Sequence, residues 1–123
     1  MAHFDGLPVP MLPISHLYWR IEKPFTYFSD VDAGHVVRIR AGFITDFASV
    51  PRLLWSLYPR WGSYGYAAIV HDYLYGEDTQ VATREIADQI FFEAMRVQGV
   101  PLLRANVLYF AVRFGGGFSW RTK

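Results

Sequence analysis

The sequence predicts an α+β fold in which a small antiparallel sheet of about three N-terminal strands is covered by three or four helices. Two observations lead to this class. Hydrophobic residues alternate with a period of two between residues 17 and 40, which is typical of strands, and recur at the helical period after residue 50. The chain of 123 residues contains no internal repeat and no linker. We therefore expect an extended, proline-rich arm over residues 1–15 and a single globular domain over residues 16–123.

The N-terminal third contains the predicted strands. Residues 1–15 hold three of the seven prolines, which disfavours a helix there, and carry few of the charges expected of a solvated tail. We interpret Asp30–His35 as a turn, because it separates two stretches of alternating apolar and polar residues. The three predicted strands are Leu17–Glu22, Phe25–Phe28 and Val36–Arg40.

The remainder of the chain has the pattern of helices. Pro51 suits the first position of a short helix, because the N–H that proline lacks has no intrahelical partner there. The longer helices are predicted by the spacing of their apolar residues and by the glycines and prolines at their ends. The four predicted helices are Arg52–Tyr58, Ser63–Tyr75, Thr83–Gln98 and Pro101–Gly115.

The composition excludes several classes of function. A hydrophobic content of 52% argues against disorder, and it suggests apolar surface that an oligomer or another protein would cover. The net charge of +1 comes from scattered residues, so we expect no nucleic-acid partner. No cysteine is present, so any metal would be bound by oxygen and imidazole ligands. No apolar run reaches the roughly 18 residues of a membrane span, so we expect no transmembrane segment.

The most informative feature is the pair His71-Asp72, which lies in the segment GSYGYAAIVHDYLYG. Apart from this pair, the segment has no Asp, Glu, Lys, Arg or His. A helix of this composition is apolar or aromatic on every side, so the helix and the pair should be buried. Buried ionisable groups are costly unless they are paired or bound to a metal, so each of the two needs a partner.

Asp88 is the predicted partner of His71. Projected at about 100° per residue, Asp88 falls inside the apolar arc of its helix and should point towards the core. If the two helices pack antiparallel, Asp88 reaches an imidazole nitrogen of His71. Tyr75, one turn after His71, can hydrogen-bond the same carboxylate. A histidine held by a buried carboxylate is the usual arrangement of a general base, and we therefore predict catalytic roles for His71, Asp88 and Tyr75.

Two further aspartates are candidate metal ligands. Asp72 faces away from His71, because neighbouring helix positions diverge by about 100°, and its carboxylate could hold a calcium ion that polarises an ester carbonyl. Asp46, in TDFASVP, could be a second ligand or could cap the short helix, and capping is the commoner role of such a residue. Water would be the nucleophile.

The pattern His71-Asp72-x-x-Tyr75, followed by Asp88 on a second helix, resembles the catalytic helix pair of phospholipase A2-type enzymes, including compact versions in some viral capsid proteins. The resemblance implies that His71 is the base, that Asp72 binds calcium, and that Asp88 and Tyr75 hold the histidine. In that family a glycine-rich loop before the first helix also binds calcium. Here the corresponding stretch, PRWGSYG, contains two separated glycines.

A longer resemblance covers residues 16–118. The segments AGFITDFASVPRLLW, YGYAAIVHDYLYG, REIADQIFFEAM and YFAVRFGG resemble a family of small phage and prophage proteins known as domain of unknown function 1353. The resemblance implies a bacteriophage or prophage origin. We expect synthesis in the host cytoplasm and incorporation in the virion. The resemblance itself implies no activity.

Two functional hypotheses remain open. The first is a metal-assisted hydrolase of host-envelope lipid or acyl esters, which should have a pocket open to solvent at His71 and Asp72. The second is a non-enzymatic protein of the phage tail or its assembly, which docks onto other phage proteins through its arm and aromatic surface. In that case the cluster of histidine, aspartates and tyrosine is a buried packing network.

Overall fold

The computed structural model describes residues 1–15, 18–45, 65–76 and 83–115. Within these ranges the predicted α+β class is confirmed, with two three-stranded antiparallel sheets and three α-helices. The predicted short helix at 52–58 lies outside the described residues. None of the helices in the described ranges has both the length and the apolarity needed to cross a bilayer.

Among the described residues six strands form the two sheets, whereas we expected about three strands in one sheet. One sheet has the order β1-β4-β5 and the other has the order β2-β3-β6. The strands are β1 His3–Asp5, β2 Met11–Pro13, β3 Trp19–Ile21, β4 Phe25–Ser29, β5 His35–Ile39 and β6 Ile44–Thr45. The predicted strands correspond to β3, β4 and β5. The other three strands have two or three residues each, and no longer run of alternating apolar and polar residues surrounds them, as it does for β3.

Residues 1–15, for which we predicted an extended arm, contribute one strand to each sheet. β1 pairs with β4, and β2 pairs with β3. Between them, the backbone N–H of Val9 donates to the hydroxyl of Tyr66 at 3.0 Å. This segment therefore contacts both sheets and the first helix.

The hairpin of β4 and β5 follows from its alternation. Phe25 and Tyr27 of β4 and Val37 and Ile39 of β5 are buried, so one face of this sheet lies against the core. The predicted turn is confirmed, because Ser29 at the end of β4 pairs with the first residue of β5, and a 3-10 turn lies between them.

The three helices begin and end close to their predicted limits. They are α1 Gly65–Gly76, α2 Arg84–Val97 and α3 Leu102–Gly115. α1 is buried along most of its length, as its lack of a polar face predicts, and α2 packs against both α1 and α3. The candidate functional site lies on these three helices.

Local contacts hold α2 in place. At its start the side chain of Thr83 accepts from the N–H of Ile86 at 3.1 Å, and at its end Gly99 has a φ of 88°. On the sheet side, Tyr27 donates its hydroxyl to Glu93 at 2.8 Å. This hydrogen bond joins α2 to β4.

Candidate functional site

The site is centred on a contact between α1 and α2. The Nε2 atom of His71 lies 2.6 Å from Oδ1 of Asp88, and both residues are 0% exposed. Asp88 points into the core, as its position in the helical projection predicted. The contact between α1 and α2 thus brings together side chains that are 17 positions apart.

Tyr75 completes the predicted trio. Its hydroxyl donates to the same oxygen of Asp88 at 2.5 Å. Its ring centroid lies 4.1 Å from that of His71, because residues four apart on a helix are neighbours on one face. The ring of Phe91, from α2, lies 4.7 Å from the imidazole. The imidazole is therefore held by two aromatic rings as well as by the carboxylate.

Two arginines that we did not predict also surround Asp88. Arg113 of α3 donates from Nη1 to Oδ2 of Asp88 at 2.8 Å, and Nε of Arg84 lies 3.7 Å from the same oxygen. Arg84 also donates to the backbone carbonyl of Arg113. The spacing of Arg84 and Asp88, four residues apart on one helix, was a usable signal for their pairing. Arg113 gave no comparable local signal, because its contact depends on how α3 packs.

The surroundings of Asp88 keep it ionised. Burial raises the pKa of its carboxyl, but the hydrogen bond and charge of His71 and the hydrogen bonds from Tyr75 and Arg113 outweigh burial and hold the pKa below its usual value. Burial and the adjacent carboxylate raise the pKa of Tyr75 well above its ordinary range, so its hydroxyl keeps its proton. Asp88 is thus an acceptor and Tyr75 a donor at neutral pH.

This protonation state assigns the tautomer of His71. An ionised carboxylate can only accept, so Nε2 of the imidazole carries the proton that it shares with Asp88. In neutral His71 the basic nitrogen is then Nδ1. The arrangement has the elements of a general base, namely an imidazole, an ionised carboxylate that orients it, and donors that hold the carboxylate.

The predicted metal ligands are not brought together within the described residues. Asp72 is half-buried on α1, next to His71, and Asp46 lies outside the described ranges. Within those ranges no three His, Asp or Glu side chains form a group that could hold a metal ion. Calcium takes six to eight oxygen ligands, so the described donors alone do not complete a calcium site.

The chain matches a family that has been defined by sequence. The family profile described as "Protein of unknown function (DUF1353)" matches residues 19–112, and the chain belongs to this family. His71, Tyr75 and Asp88 all lie within the matched region.

A curated protein also matches the chain. The chain is similar to "Uncharacterized protein y4jT" of Sinorhizobium fredii (strain NBRC 101917 / NGR234), with 33% identity over 88 residues. This match covers 69% of the chain and 26% of the relative, so the chain spans about a quarter of that protein's length. No solved structure gives a significant match to the chain.

Proposed function

We propose that this protein is a bacteriophage hydrolase that uses His71 as a general base on lipid or acyl esters of the host envelope. The observation that carries the proposal is the 2.6 Å contact between Nε2 of His71 and Oδ1 of Asp88. A carboxylate in this position fixes the tautomer of the base and stabilises the imidazolium that forms when the base takes up a proton.

In the proposed reaction Nδ1 of His71 takes a proton from water while the water oxygen attacks the ester carbonyl carbon. The tetrahedral intermediate then collapses, the bond to the leaving oxygen breaks, and the imidazolium returns its proton to that oxygen. The products are an acid and an alcohol, and the imidazole is neutral again. Tyr75 and Arg113 are positioning residues, because they act through Asp88 and hold it in its ionised form.

The free-energy cost of burying ionisable groups supports a functional role for the cluster. Replacing a buried ionic network by apolar residues of similar size is often neutral or stabilising, so packing alone does not require one. Here the network includes a titratable imidazole and an aspartate with a shifted pKa, a combination that is concentrated at functional sites.

The choice of substrate rests on two resemblances. The arrangement of His71, Asp88 and Tyr75 matches the roles that the resemblance to phospholipase A2-type enzymes implies. Calcium is the metal that this resemblance suggests, with Asp72 and Asp46 as its proposed ligands. The phage origin and carriage in the virion are suggested by the resemblance to small phage and prophage proteins, and the host envelope as target is part of our proposal.

The proposed reaction requires that water and substrate reach the imidazole of His71. His71 is 0% exposed, whereas Asp72 beside it is half-buried. Turnover therefore requires an opening of the chain that covers the imidazole, as occurs in enzymes that admit substrate by moving a loop or lid.

The same burial favours a second candidate function. Asp88 joins α1, α2 and α3 through His71, Arg84 and Arg113. The cluster can therefore serve only to hold the three helices together. The protein would then be a non-enzymatic component of the phage tail or of its assembly. It would dock onto other phage proteins through exposed apolar and aromatic side chains.

Hydrolysis assays with the purified chain separate the two candidates. Phospholipid vesicles and peptidoglycan are incubated with the wild type, with His71→Ala and His71→Gln, and with His3→Ala as a matched control, because His3 is an exposed histidine far from the site in sequence. The assays are run with calcium, zinc or manganese and with a chelator.

We expect the wild type and His3→Ala to release fatty acid or another acyl product, and both His71 variants to lose turnover while remaining folded by circular dichroism. Loss of activity on chelation would also support the proposal that Asp72 and Asp46 bind a metal ion. A wild type that hydrolyses neither substrate under any of these conditions contradicts the enzyme proposal. The second candidate function, in which the cluster only holds the helices together, would then remain.

A further inference from the structure

A groove between α2 and α3 opens to solvent. It has a volume of about 240 Å³. Each of the two helices contributes one carboxamide and one aromatic side chain to its described lining. These residues are Gln89 and Phe92 of α2, and Asn106 and Tyr109 of α3. Because residues three apart share one face of a helix, each pair forms one wall of the groove.

The groove is separate from the buried histidine site. Gln89 is exposed and Phe92 is half-buried. Asp88 and Phe91, the residues immediately before them, are fully buried. Neighbouring positions on a helix diverge by about 100°, so α2 turns one face to His71 and another to the groove. The groove is therefore a second site, and the reaction proposed for the histidine does not use it.

The polar groups of the groove retain hydrogen-bonding capacity. Asn106 donates one amide N–H to the carbonyl of Leu102 at 3.0 Å, which leaves its Oδ1 atom and a second N–H. Gln89 contacts Glu85 through Nε2 at 3.5 Å, which leaves its Oε1 atom. Among the described residues, the hydroxyl of Tyr109 has no hydrogen-bond partner. These donors and acceptors can bind a ligand.

The size and charge of the groove limit the kind of ligand. Sites for drug-sized molecules usually have roughly 300–1,000 Å³, so a volume of about 240 Å³ suits a single ring. The described lining contains no Asp, Glu, Lys or Arg, so it does not select for a phosphate, a carboxylate or a cation. An acyl chain is also disfavoured, because it would cover two carboxamides without offering them a hydrogen bond.

The aromatic rings argue against a planar aromatic ligand. The ring centroids of Phe92 and Tyr109 lie 5.8 Å apart, with an angle of 77° between the ring planes. Rings in edge-to-face contact leave no parallel slot in which a nucleobase could be sandwiched. A pyranose ring needs no such slot, since it packs its C–H face on one aromatic ring. Its hydroxyls both donate and accept, and a carboxamide offers both donors and an acceptor.

We propose that this groove binds the pyranose ring of an uncharged saccharide, with its hydroxyls bonded to the two carboxamides and its C–H face packed on one of the aromatic rings. The N-acetylhexosamines of peptidoglycan and the neutral hexoses of surface polysaccharides both present such a ring. Binding in the groove does not depend on hydrolysis at His71. It would hold the domain at a saccharide surface whichever of the two candidate functions is right.

An NMR titration of the full chain tests this proposal. The probes are N-acetylglucosamine, glucose, adenosine and acetylated tri-alanine amide. The backbone amide signals of the four lining residues, which every variant retains, report binding. None of the probes contains an ester, so turnover at His71 cannot produce the signal, and a failure of the hydrolase proposal leaves this test intact.

The variants remove the carboxamides at similar side-chain volume. They are Gln89→Leu, at an exposed position, and the double variant Gln89→Leu/Asn106→Leu. The matched control is Gln98→Leu, which removes the carboxamide of a half-buried glutamine at the end of α2, outside the described lining of the groove. Circular dichroism establishes that each variant is folded.

We expect N-acetylglucosamine, alone or together with glucose, to shift the signals with a Kd on the order of 1 mM, the strength open to a ligand of about a dozen non-hydrogen atoms. A response to N-acetylglucosamine alone assigns the ligand to N-acetylated glycans, and a response to both assigns it to neutral pyranoses. Gln89→Leu should bind about threefold and the double variant at least about tenfold more weakly. Gln98→Leu should bind like the wild type.

Three results would overturn the proposal. The first is a wild type whose signals respond to neither sugar at concentrations well above 1 mM, on the order of 50 mM. The second is a folded double variant that binds the sugars as the wild type does. The third is a stronger response to adenosine or to the peptide than to either sugar, because a nucleobase or a peptide would then be the ligand.

Discussion

At the scale of single residues, the site depends on Asp88. Its two carboxylate oxygens accept from His71, Tyr75 and Arg113, which come from two other helices. Breaking a buried pair by removing one partner leaves the other charge uncompensated, which costs far more than the pair contributes when intact. Asp88 is therefore the position at which one substitution disturbs all three helices.

We predict that Asp88→Asn lowers the free energy of unfolding by about 3–5 kcal/mol, because the guanidinium of Arg113 loses its carboxylate partner. Urea denaturation of the two proteins measures this difference. Asp5→Asn is the matched control, since Asp5 is exposed, and it should change stability by less than about 0.5 kcal/mol. Equal midpoints for the wild type and Asp88→Asn would contradict the buried network.

The pH dependence of the same variant provides a second measurement. The pKa of Asp88 is lower in the folded protein than its unfolded value of about 3.9, so its ionised form stabilises the fold. This contribution is present above the unfolded pKa and is lost as pH falls through the folded pKa. The difference in stability between wild type and Asp88→Asn should therefore shrink as pH is lowered below about 4. A constant difference would show that Asp88 is not selectively stabilised as a carboxylate.

At the scale of elements, α2 depends on how it ends. The N–H of Gly99 donates to the carbonyl of Arg96 at 3.1 Å, and the N–H of Val100 donates to the carbonyl of Met95 at 3.0 Å. These two bonds close the helix in a Schellman motif, which requires a left-handed residue at position 99. With a φ of 88°, Gly99 meets this requirement because it has no Cβ.

We predict that Gly99→Ala destabilises the protein by about 1–2 kcal/mol. A Cβ built at Gly99 meets no atom within 4 Å, so the cost comes from backbone conformation and not from a clash. Gly99→Asn, which adds a larger side chain but tolerates positive φ better, should cost less. Thermal unfolding of both variants tests this order, and an alanine variant as stable as the asparagine variant would contradict it.

At the scale of the whole molecule, the N-terminal residues are part of the fold. β1 adds a third strand to the sheet of β4 and β5, and the ring of Phe4 lies 4.6 Å from that of Tyr27. Tyr27 in turn donates to Glu93 of α2. A line of contacts therefore runs from the N-terminal strand through the sheet to the helix that carries Asp88.

We predict that deleting residues 2–6 destabilises the protein by on the order of 2–4 kcal/mol, from lost ladder hydrogen bonds and lost apolar contact. Phe4→Ala should produce a smaller loss, because it keeps the ladder. Thermal unfolding measures both. A deletion variant with an unchanged midpoint would mean that these residues act as a separate arm and not as a strand of the domain.

Prediction from sequence succeeded where a local pattern was long enough to identify. The helical period placed Asp88 in the core beside His71 and Tyr75, and the alternation of β4 and β5 located the hairpin. It failed for β1, β2 and β6, because these strands of two or three residues lie outside any longer run of alternating residues. It missed Arg113, because an arginine on a mixed helix face looks the same whether it meets solvent or a buried carboxylate.

The order of residues thus determined the helices, the strands β3, β4 and β5, and which side of each helix faces inward, because these follow from spacing along one element. Only the packing of α3 against α2 decided that Arg113 meets Asp88. Only the pairing between strands decided that they form two sheets. Both depend on contacts between residues distant in the chain, whose free energy exists only once the elements have met.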